Sequence, residues 1–359
     1  MANFKTIYNN CSYLIEHQMA LPIGVTNEKK LTPCIIGSLG EGKSALAILL
    51  AKNNNLWLIH IHLADRDPTE VGGWLLPNKT TGKMERYMPD FFPTEEEVKA
   101  KGYDGVLLFF DEVFKSPKAT QNVVAQIVNE NGIGVHKLPH KTFVMLASNR
   151  MTDKSNEISP PTHLKGRIAM MELEPSHKDF LEHHRLEQGD QRIDAYLNYR
   201  PENHSKFDRD ADACANSRNW KRAETVLEIY DQNKDEMFLT TMIISILGKS
   251  VGADFLQWLP LWNTCPNVDE MIANGGTCEI PEDDGILYAV LSAMSVKATD
   301  NNIVNVCKFL DRLKSQELIA YALKNILTRT PTLRHSKHLR NLLGSQSKLA
   351  EILMGLIPK

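Results

Sequence analysis

The chain has 359 residues, a formal net charge of -3 and a pI near 6.5. This length allows two or three domains, and the slight acidity argues against a globally basic nucleic-acid coat, although it leaves room for a local basic patch. The six cysteines lack the paired spacing of a zinc ribbon or a disulfide framework. Residues 237–247 are too short to span a bilayer, and residues 1–20 lack the apolar block of a signal peptide. We therefore expect a cytoplasmic protein with reduced thiols and no membrane partner.

The most specific motif is the glycine-rich segment GSLGEGKS at residues 37–44. Strand-forming residues precede it, and residues 44–52 are strong helix formers without Gly or Pro. In this setting the backbone N–H groups and the positive end of the helix surround a phosphate. Lys43 would reach the β- and γ-phosphates, and the hydroxyl of Ser44 would ligate magnesium. The predicted nucleotide-binding residues of this segment are Gly37, Gly40, Glu41, Gly42, Lys43, Ser44 and Ala45.

Five apolar, strand-like runs alternate with helical stretches in the first half of the chain: residues 31–36, 56–63, 106–110, 142–147 and 168–173. Because these runs are apolar on both faces, they indicate a parallel sheet covered by helices on each side. Beyond Pro175, helical spacing dominates in residues 220–230, 237–247, 285–295, 303–319 and 348–356. Residues 202–212 and 266–284 are predicted loops. The fold class predicted is α/β, with an all-helical second half.

Two carboxylates, Asp111 and Glu112, end the third predicted strand. Ligands bind at the carboxyl ends of parallel strands, so Asp111 would lie beside the phosphate loop and hold magnesium together with Ser44. Glu112 projects differently and can polarise a water toward the γ-phosphate. Asn149 follows the fourth strand, where an amide can contact both the γ-phosphate and the attacking water, although by itself an asparagine after a strand is more often a turn residue. Arg167 immediately precedes the fifth strand; by itself, such an arginine is typical of a surface ion pair.

This ordered set resembles the AAA+ ATPase module, and in particular the MoxR-like family. The matching features are the phosphate loop, the segment DPTEVGG at residues 67–73, Asp111 with Glu112, Asn149, Arg167, and SRNW at residues 217–220. The resemblance covers residues 20–230 well and the helical remainder loosely. It implies a P-loop NTPase core over residues 1–175, a helical lid over 176–265 and a C-terminal helical region over 266–359.

The resemblance also implies roles for individual residues. These are a catalytic base at Glu112, a sensor-one residue at Asn149, an arginine finger at Arg167 and a sensor-two arginine at Arg218. The implied cofactors are ATP and Mg2+. Because a finger acts on a neighbouring subunit's nucleotide, a homo-hexameric ring is implied. The implied collaborator is a von Willebrand factor A-domain protein or another protein client, and residues 132–139 resemble a hairpin that points into the ring pore, although a plain connecting turn explains them equally well.

The remaining histidine, basic and apolar groups are predicted to have ordinary structural roles. His177, His183 and His184 lack metal-ligand partners at a suitable spacing and are predicted to lie on a solvated helix face. The basic stretch from Arg329 to Arg340 is also predicted to be an exposed helix face. The apolar residues at 339, 342, 343, 349, 352 and 356 are predicted to be core. The triplet at residues 248–250 repeats Gly-Lys-Ser without the first glycine of the loop and is predicted to end a helix.

Two alternatives to a protein-remodelling ATPase stay open. A nucleic-acid motor or loader would use the basic stretch near the C-terminus, and its ATP hydrolysis would respond to DNA in a salt-dependent way. A nucleotide-gated scaffold would bind ATP and assemble but hydrolyse it very slowly. This alternative is prompted by Gly166 and Ile168 beside Arg167, where the family more usually has an acidic or amide residue and a phenylalanine. Adenine is the family default, because the sequence carries no evident guanine-recognition motif.

Overall fold

The computed structural model of the chain describes residues 2–23, 30–153, 157–207, 211, 213–343 and 348–356. The chain forms two compact units, Met1–Ser176 and His177–Lys359. The first combines strands and helices, whereas the elements of the second are all helices over its described residues. An α/β core with a helical carboxyl-terminal region is therefore confirmed. The proposed division of the helical half at residue 265 stays a prediction.

The first unit contains short strands and helices in alternation. Its strands are β1 (Thr32–Ile36), β2 (Leu56–His62), β3 (Trp74–Pro77), β4 (Met84–Tyr87), β5 (Gly105–Asp111), β6 (Gly132–Ile133), β7 (His136–Lys137), β8 (Thr142–Ser148) and β9 (Ile168–Glu172). Its helices are α1 (Phe4–Met19), α2 (Lys43–Asn53), α3 (Pro68–Gly72), α4 (Glu95–Ala100), α5 (Lys118–Glu130) and α6 (Thr162–Lys165). Helix α1 was not predicted from the sequence.

The central sheet has five parallel strands in the order β2-β5-β8-β1-β9. These are the five predicted strands, with boundaries that differ by one residue at the ends. All residues of β5 and β8 are buried, which explains their uninterrupted apolar sequence. The edge strand β2 is different, because His60 and His62 are exposed while Ile61 between them is buried.

Each face of the sheet has its own apolar core. On one face Ile35, Phe109 and Met145 pack with residues of α1 and α2. On the other face Leu108 and Val144 pack with residues of α3, α4 and α5. Helices on both faces leave the carboxyl ends of the strands as the open edge where polar side chains can gather.

Two antiparallel hairpins extend the first unit. Strands β6 and β7 pair across Gly134 and Val135, with Gly134 at a φ of 58° in the left-handed region. The hairpin candidate at residues 132–139 is therefore a hairpin in the structure. Strands β3 and β4 form a second hairpin that the sequence analysis did not predict, and Trp74, Leu75 and Met84 on it are exposed.

The second unit consists of helices over its described residues. They are α7 (His177–Leu186), α8 (Gln191–Tyr199), α9 (Ser217–Asn233), α10 (Glu236–Leu247), α11 (Lys249–Asn263), α12 (Val268–Ala273), α13 (Asp284–Lys297), α14 (Ile303–Asp311), α15 (Gln316–Arg329), α16 (Lys337–Leu343) and α17 (Lys348–Leu356). One apolar core surrounds Trp220 and Phe255, and another joins α13 to α17. Of the apolar residues predicted as core, Leu339 and Leu349 are fully buried and the others pack partly buried against them.

Two predictions in this unit were wrong in detail. The predicted helix over residues 303–319 is two helices, because Ser315 caps α15 by accepting a hydrogen bond from the Leu318 N–H. The predicted loop over 266–284 contains α12, which is capped by Asn267. Gly248 ends α10 as expected, but Lys249 begins α11 at once. In the predicted loop over 202–212, residues 208–210 and 212 lie outside the described part.

All six cysteines are free thiols. Among the described helices, none has both the length and the apolar composition needed to cross a bilayer.

Candidate functional site

The glycine-rich loop lies at the carboxyl end of β1 and leads directly into α2. Gly40 and Gly42 have φ values of 79° and 94°, a left-handed backbone that residues with a Cβ rarely adopt. Gly37 needs its missing side chain for another reason, because an added Cβ would lie 2.8 Å from Oε2 of Glu41. The sequence thus folds into a tight loop whose last residue precedes the first turn of an 11-residue helix. The positive end of that helix favours an anion.

Lys43 is buried in the first turn of α2. Its Nζ donates to the carbonyl oxygens of Gly37 and Ser38 at 2.6 and 2.9 Å, and to Oδ1 of Asn149 at 2.9 Å. Two residues that were predicted separately, 106 positions apart, are therefore in direct contact. The contact places a lysine ammonium and a side-chain amide together beside the loop.

The predicted metal ligands Ser44 and Asp111 are also in contact. The Ser44 Oγ donates to Asp111 Oδ2 at 3.0 Å, while Asp111 Oδ1 accepts from the Glu112 N–H at 2.9 Å. Burial by itself raises the pKa of Asp111, but hydrogen bonds from His60, Ser44 and the Glu112 N–H outweigh it and hold that pKa below its ordinary value. Asp111 therefore stays ionised, as a ligand of a divalent cation must be.

The order of the strands explains how these contacts arise. Strand β8 lies between β1 and β5, so Asn149 at the end of β8 reaches Lys43 directly. Asp111 at the end of β5 is one strand further away and meets Ser44 in the first turn of α2. Three strand ends thus place their polar residues along one edge of the sheet.

Glu112 leaves the strand through an unusual backbone conformation. Its φ and ψ are 55° and 37°, and a short 3-10 turn follows it. A left-handed conformation at a residue other than glycine costs roughly 1–3 kcal/mol and is concentrated at functional sites. The Glu112 side chain is partly exposed and its Oε2 lies 3.6 Å from Nζ of Lys115. The backbone turn takes this carboxylate out of the alternation of β5, so it is oriented differently from Asp111.

Sequence reasoning missed Arg150, which follows Asn149. Its Nη1 lies 3.3 Å from Ser38 Oγ and 3.9 Å from Glu41 Oε1, and its Nη2 donates to the Leu173 carbonyl at 2.6 Å. Glu41 in turn accepts from the Ser38 N–H at 2.7 Å. Burial raises the pKa of Glu41, with Arg150 and the Ser38 N–H acting in the opposite direction. Arg150 therefore ties the loop to the end of β9, and its position after a strand end was the available signal.

His60 was missed as well. Its Nε2 lies 3.3 Å from Asp111 Oδ2, the same oxygen that accepts from Ser44. The available signal was the alternation of His60 and His62 in an otherwise apolar strand. A polar face on an edge strand indicates an open position beside the site.

Arg167 lies away from this edge. It directly precedes β9, whose first residue pairs with Thr32 at the start of β1, whereas the phosphate loop follows the other end of β1. Five residues of strand separate the two ends by roughly 16 Å, at about 3.3 Å per residue. The exposed Arg167 side chain donates to Asn129 Oδ1 at 2.8 Å and to the His163 carbonyl at 2.6 Å. Arg167 is therefore not brought together with the loop of its own chain.

Two other predicted site residues are exposed at the starts of helices. Ala45 is exposed in the first turn of α2. Arg218 is exposed in the first turn of α9, in the second unit.

The segment at residues 67–73 has a local structural role. Asp67 and Glu70 form a capping box at the start of α3, with Asp67 Oδ1 accepting from the Thr69 N–H at 2.9 Å and Glu70 Oε2 accepting from the Asp67 N–H at 2.7 Å. Gly73 has a φ of 79°, and a Cβ there would collide with the Tyr87 carbonyl of the β3–β4 hairpin. This segment therefore starts a helix and seats a hairpin.

In each of the two polar clusters that were predicted to be solvated, one residue is buried instead, while His183 is exposed as predicted. His184 is buried, with its Nδ1 2.8 Å from Asp194 Oδ1, so it does not lie on a solvated face. Arg329 is also buried and donates from Nη2 to Asp194 Oδ2 at 2.7 Å. The hydrophobic spacing of these helices places both side chains inward, where Asp194 compensates their charge. Further along the basic stretch, Lys337, His338 and Arg340 are exposed as predicted.

A scan against protein-family models found no matching family, and a search of curated proteins found no significant match. The chemistry of the site therefore follows from its own geometry. A buried lysine at a helix start, an ionised carboxylate paired with a hydroxyl, and an amide that contacts the lysine are the groups that binding of a metal-bound polyanion would require.

Proposed function

We propose that this chain is a magnesium-dependent ATPase with a P-loop NTPase core of the AAA+, MoxR-like type. The observation that carries the proposal is the convergence of two pairs at one edge of the sheet, Lys43 with Asn149 and Ser44 with Asp111. These four residues come from three separate segments of the chain. Convergence of this kind is what a functional site requires, whereas an ordinary glycine turn does not need it.

The residues fit both implied cofactors. The ionised Asp111 and the Ser44 hydroxyl supply the hard oxygen ligands that Mg2+ prefers. Lys43 and the start of α2 supply positive charge for the phosphates of ATP. When bound, the magnesium ion neutralises charge that develops on the phosphates during transfer. The Lys43 ammonium donates to the carbonyl oxygens of Gly37 and Ser38, which keeps it beside the loop.

Glu112 serves as the general base in this proposal. Its carboxylate accepts a proton from the attacking water, while Asn149 orients that water and the γ-phosphate. The left-handed backbone at Glu112 supports the assignment, because it separates the base from the metal-holding Asp111 by one residue and a change of direction.

Assembly into a ring, by family resemblance a homo-hexamer, completes the site. Arg167 lies at the opposite end of β1 from its own phosphate loop, so it can serve as an arginine finger for a neighbouring copy of the chain. By the same resemblance Arg218 acts as sensor two, and the ring remodels a protein client together with a von Willebrand factor A-domain partner. The nucleic-acid alternative has the basic stretch as its one support, and that stretch keeps the exposed Lys337, His338 and Arg340 but loses Arg329, which is buried against Asp194.

The test compares Glu112→Gln and Lys43→Ala with the unaltered protein. Glu112→Gln should keep ATP affinity and lower turnover by about 10²–10⁴, the usual contribution of a general base. Lys43→Ala should abolish ATP binding, measured by calorimetry. Undiminished hydrolysis in Glu112→Gln would refute the base assignment, and a chain that binds no nucleotide would refute the function.

A sizing experiment addresses the ring. The protein should assemble into a larger species with a non-hydrolysable ATP analogue than without it. Turnover that rises with protein concentration would exclude the slow scaffold, and stimulation by DNA that declines with salt would favour the nucleic-acid alternative.

A further inference from the structure

An unassigned group of metal-binding side chains lies on the edge strand β2. His60 and His62 are two residues apart, so both side chains are on the same face of the sheet. That face carries Phe109 and Asp111 on the neighbouring strand, because His60 pairs with Phe109 and His62 with Asp111 in the parallel register. Both histidines are exposed, since β2 is at the sheet edge.

The donor atoms of this group are close together. One ligand atom each from His60, His62 and Asp111 lies within 4.8 Å of the others. The His60 ring packs against Phe109 with centroids 4.8 Å apart and against His62 at 5.1 Å, which limits its orientation. Within the part of the chain that the structure describes, no other three His, Cys, Asp or Glu residues form such a group.

The chemistry of this donor set differs from that of a magnesium site. Mg2+ takes oxygen ligands, whereas imidazole nitrogen suits Zn2+, Co2+ and Ni2+. Two histidines and one carboxylate with a remaining open position form a common zinc ligand set. We propose that His60, His62 and Asp111 bind a transition-metal cation of the zinc class in the nucleotide-free protein.

The two cation sites share one oxygen. Asp111 Oδ2 accepts from Ser44 on one side and lies 3.3 Å from His60 Nε2 on the other. A cation on the histidine side draws this carboxylate away from Ser44, so zinc and magnesium compete for Asp111. Inhibition of turnover by zinc follows, and this second part rests on the proposed ATPase function, whereas metal binding itself does not.

The binding test uses Co2+ as a probe, without nucleotide and on tag-free protein. The full chain should bind one Co2+ with the visible absorption of a site containing nitrogen ligands, and Zn2+ should displace it. His60→Ala and His62→Ala should each weaken binding by more than the roughly 10–100-fold that loss of an outer-shell partner costs. His17→Ala, at an exposed histidine on α1, is the matched control and should bind as the unaltered chain does.

The outcomes separate the two proposals. The metal site is overturned if the unaltered chain binds no Co2+, or if His60→Ala and His62→Ala bind Co2+ as tightly as the unaltered chain does. Either result leaves the ATPase proposal intact. Circular dichroism and melting of both variants verify folding, which exposed positions on β2 should not disturb. If ATP is hydrolysed, Zn2+ should inhibit the unaltered chain at lower free concentration than it inhibits His62→Ala, each relative to its own Mg2+ turnover. Equal inhibition of the two chains by Zn2+ would refute competition between zinc and magnesium for Asp111, but it would not refute metal binding by the histidines.

Discussion

Two regions of the molecule bury charged side chains, and they do so differently. At the sheet edge of the first unit, Lys43 and Asp111 are buried beside an open edge, next to the exposed His60 and the left-handed Glu112. In the second unit, Asp194 is fully buried among side chains that compensate it. The comparison shows that buried charge alone does not indicate function. Open access and a donor set suited to an external ligand distinguish the first region, whereas a left-handed backbone does not, because Gln188 beside the Asp194 cluster has a φ of 59°.

Both carboxylate oxygens of Asp194 have partners within the second unit, although the buried Nε2 of His184 and Nη2 of Arg185 have no hydrogen-bond partner among the described residues. Asp194 Oδ1 lies 2.8 Å from His184 Nδ1, and Asp194 Oδ2 accepts from Arg185 Nε at 3.1 Å and from Arg329 Nη2 at 2.7 Å. Burial raises the pKa of Asp194, but the histidine and the two arginines outweigh it and lower that pKa. Three elements, α7, α8 and α15, are joined through one carboxylate, so this region stabilises the fold.

The largest predicted effect concerns Arg167. If it completes a neighbour's site, Arg167→Ala should lower turnover by about 10³–10⁵, because a finger neutralises charge in the transition state. The same change should leave stability nearly unaltered, since the side chain is exposed. Steady-state hydrolysis and thermal melting measure the two effects.

Mixing subunits tests whether the finger acts between copies. An Arg167→Ala chain has an intact site and no finger, whereas a Glu112→Gln chain has a finger and no base. Their mixture should hydrolyse ATP faster than either chain alone. Arg66→Ala, at an exposed arginine that pairs with Glu70 at 3.4 Å, is the control and should keep full activity. A mixture no faster than its components would contradict action between subunits.

The second prediction addresses the cluster in the helical unit. Asp194→Asn should destabilise this unit by about 3–5 kcal/mol, because removing one partner leaves buried cations uncompensated. Denaturant unfolding followed by circular dichroism measures the change. Asp231→Asn is the matched control, because Asp231 pairs with Arg192 at 2.6 Å but is half exposed, and it should cost about 0–1 kcal/mol. Similar losses in both variants would show that Asp194 is not the critical partner.

The sequence could predict the strands and the phosphate loop, but not the contacts between distant segments. The five strands were predictable because β5 and β8 are apolar on both faces, and the loop because its residues are contiguous. The order of the strands was not, since nothing local places β8 between β1 and β5. Arg150 and His60 were missed because their partners, Glu41 and Asp111, come from distant segments.

The helical half was less predictable in detail. His184 and Arg329 belong to polar stretches, and their burial depends on Asp194, which is 135 residues from Arg329 in the chain. Hydrophobic periodicity predicts which apolar residues face inward but does not identify a polar residue that is buried with a partner. The division of residues 303–319 depended on the capping residue Ser315, which lies in a polar stretch, residues 311–317, where only Leu313 is apolar.

A third prediction concerns Arg150, which supports the open site through the loop. Arg150→Ala removes the contacts to Ser38 and Glu41 and should raise the KM for ATP about tenfold, equivalent to about 1.4 kcal/mol. Its effect on kcat should be smaller, because Arg150 positions the loop and is not a catalytic residue. Arg150→Lys keeps the charge without the planar guanidinium, so its KM for ATP should lie between those of the unaltered chain and Arg150→Ala. Loss of stability with an unchanged KM would assign Arg150 a structural role alone.

The last prediction is a dependence of stability on pH through His184. Burial lowers the pKa of His184, but its contacts with Asp194 and Glu224 outweigh it and raise that pKa to about 9. The protonated form is therefore favoured by folding, and its contribution is complete below about pH 6.5, the ordinary value, and is lost as the pH rises through about 9. The free energy of unfolding should decline over this window, and His184→Gln should flatten the decline. The effect is smaller than that of Asp194→Asn, because a neutral His184 still leaves Arg185 and Arg329 on the carboxylate. A decline of equal steepness in His184→Gln would assign the pH dependence to other groups.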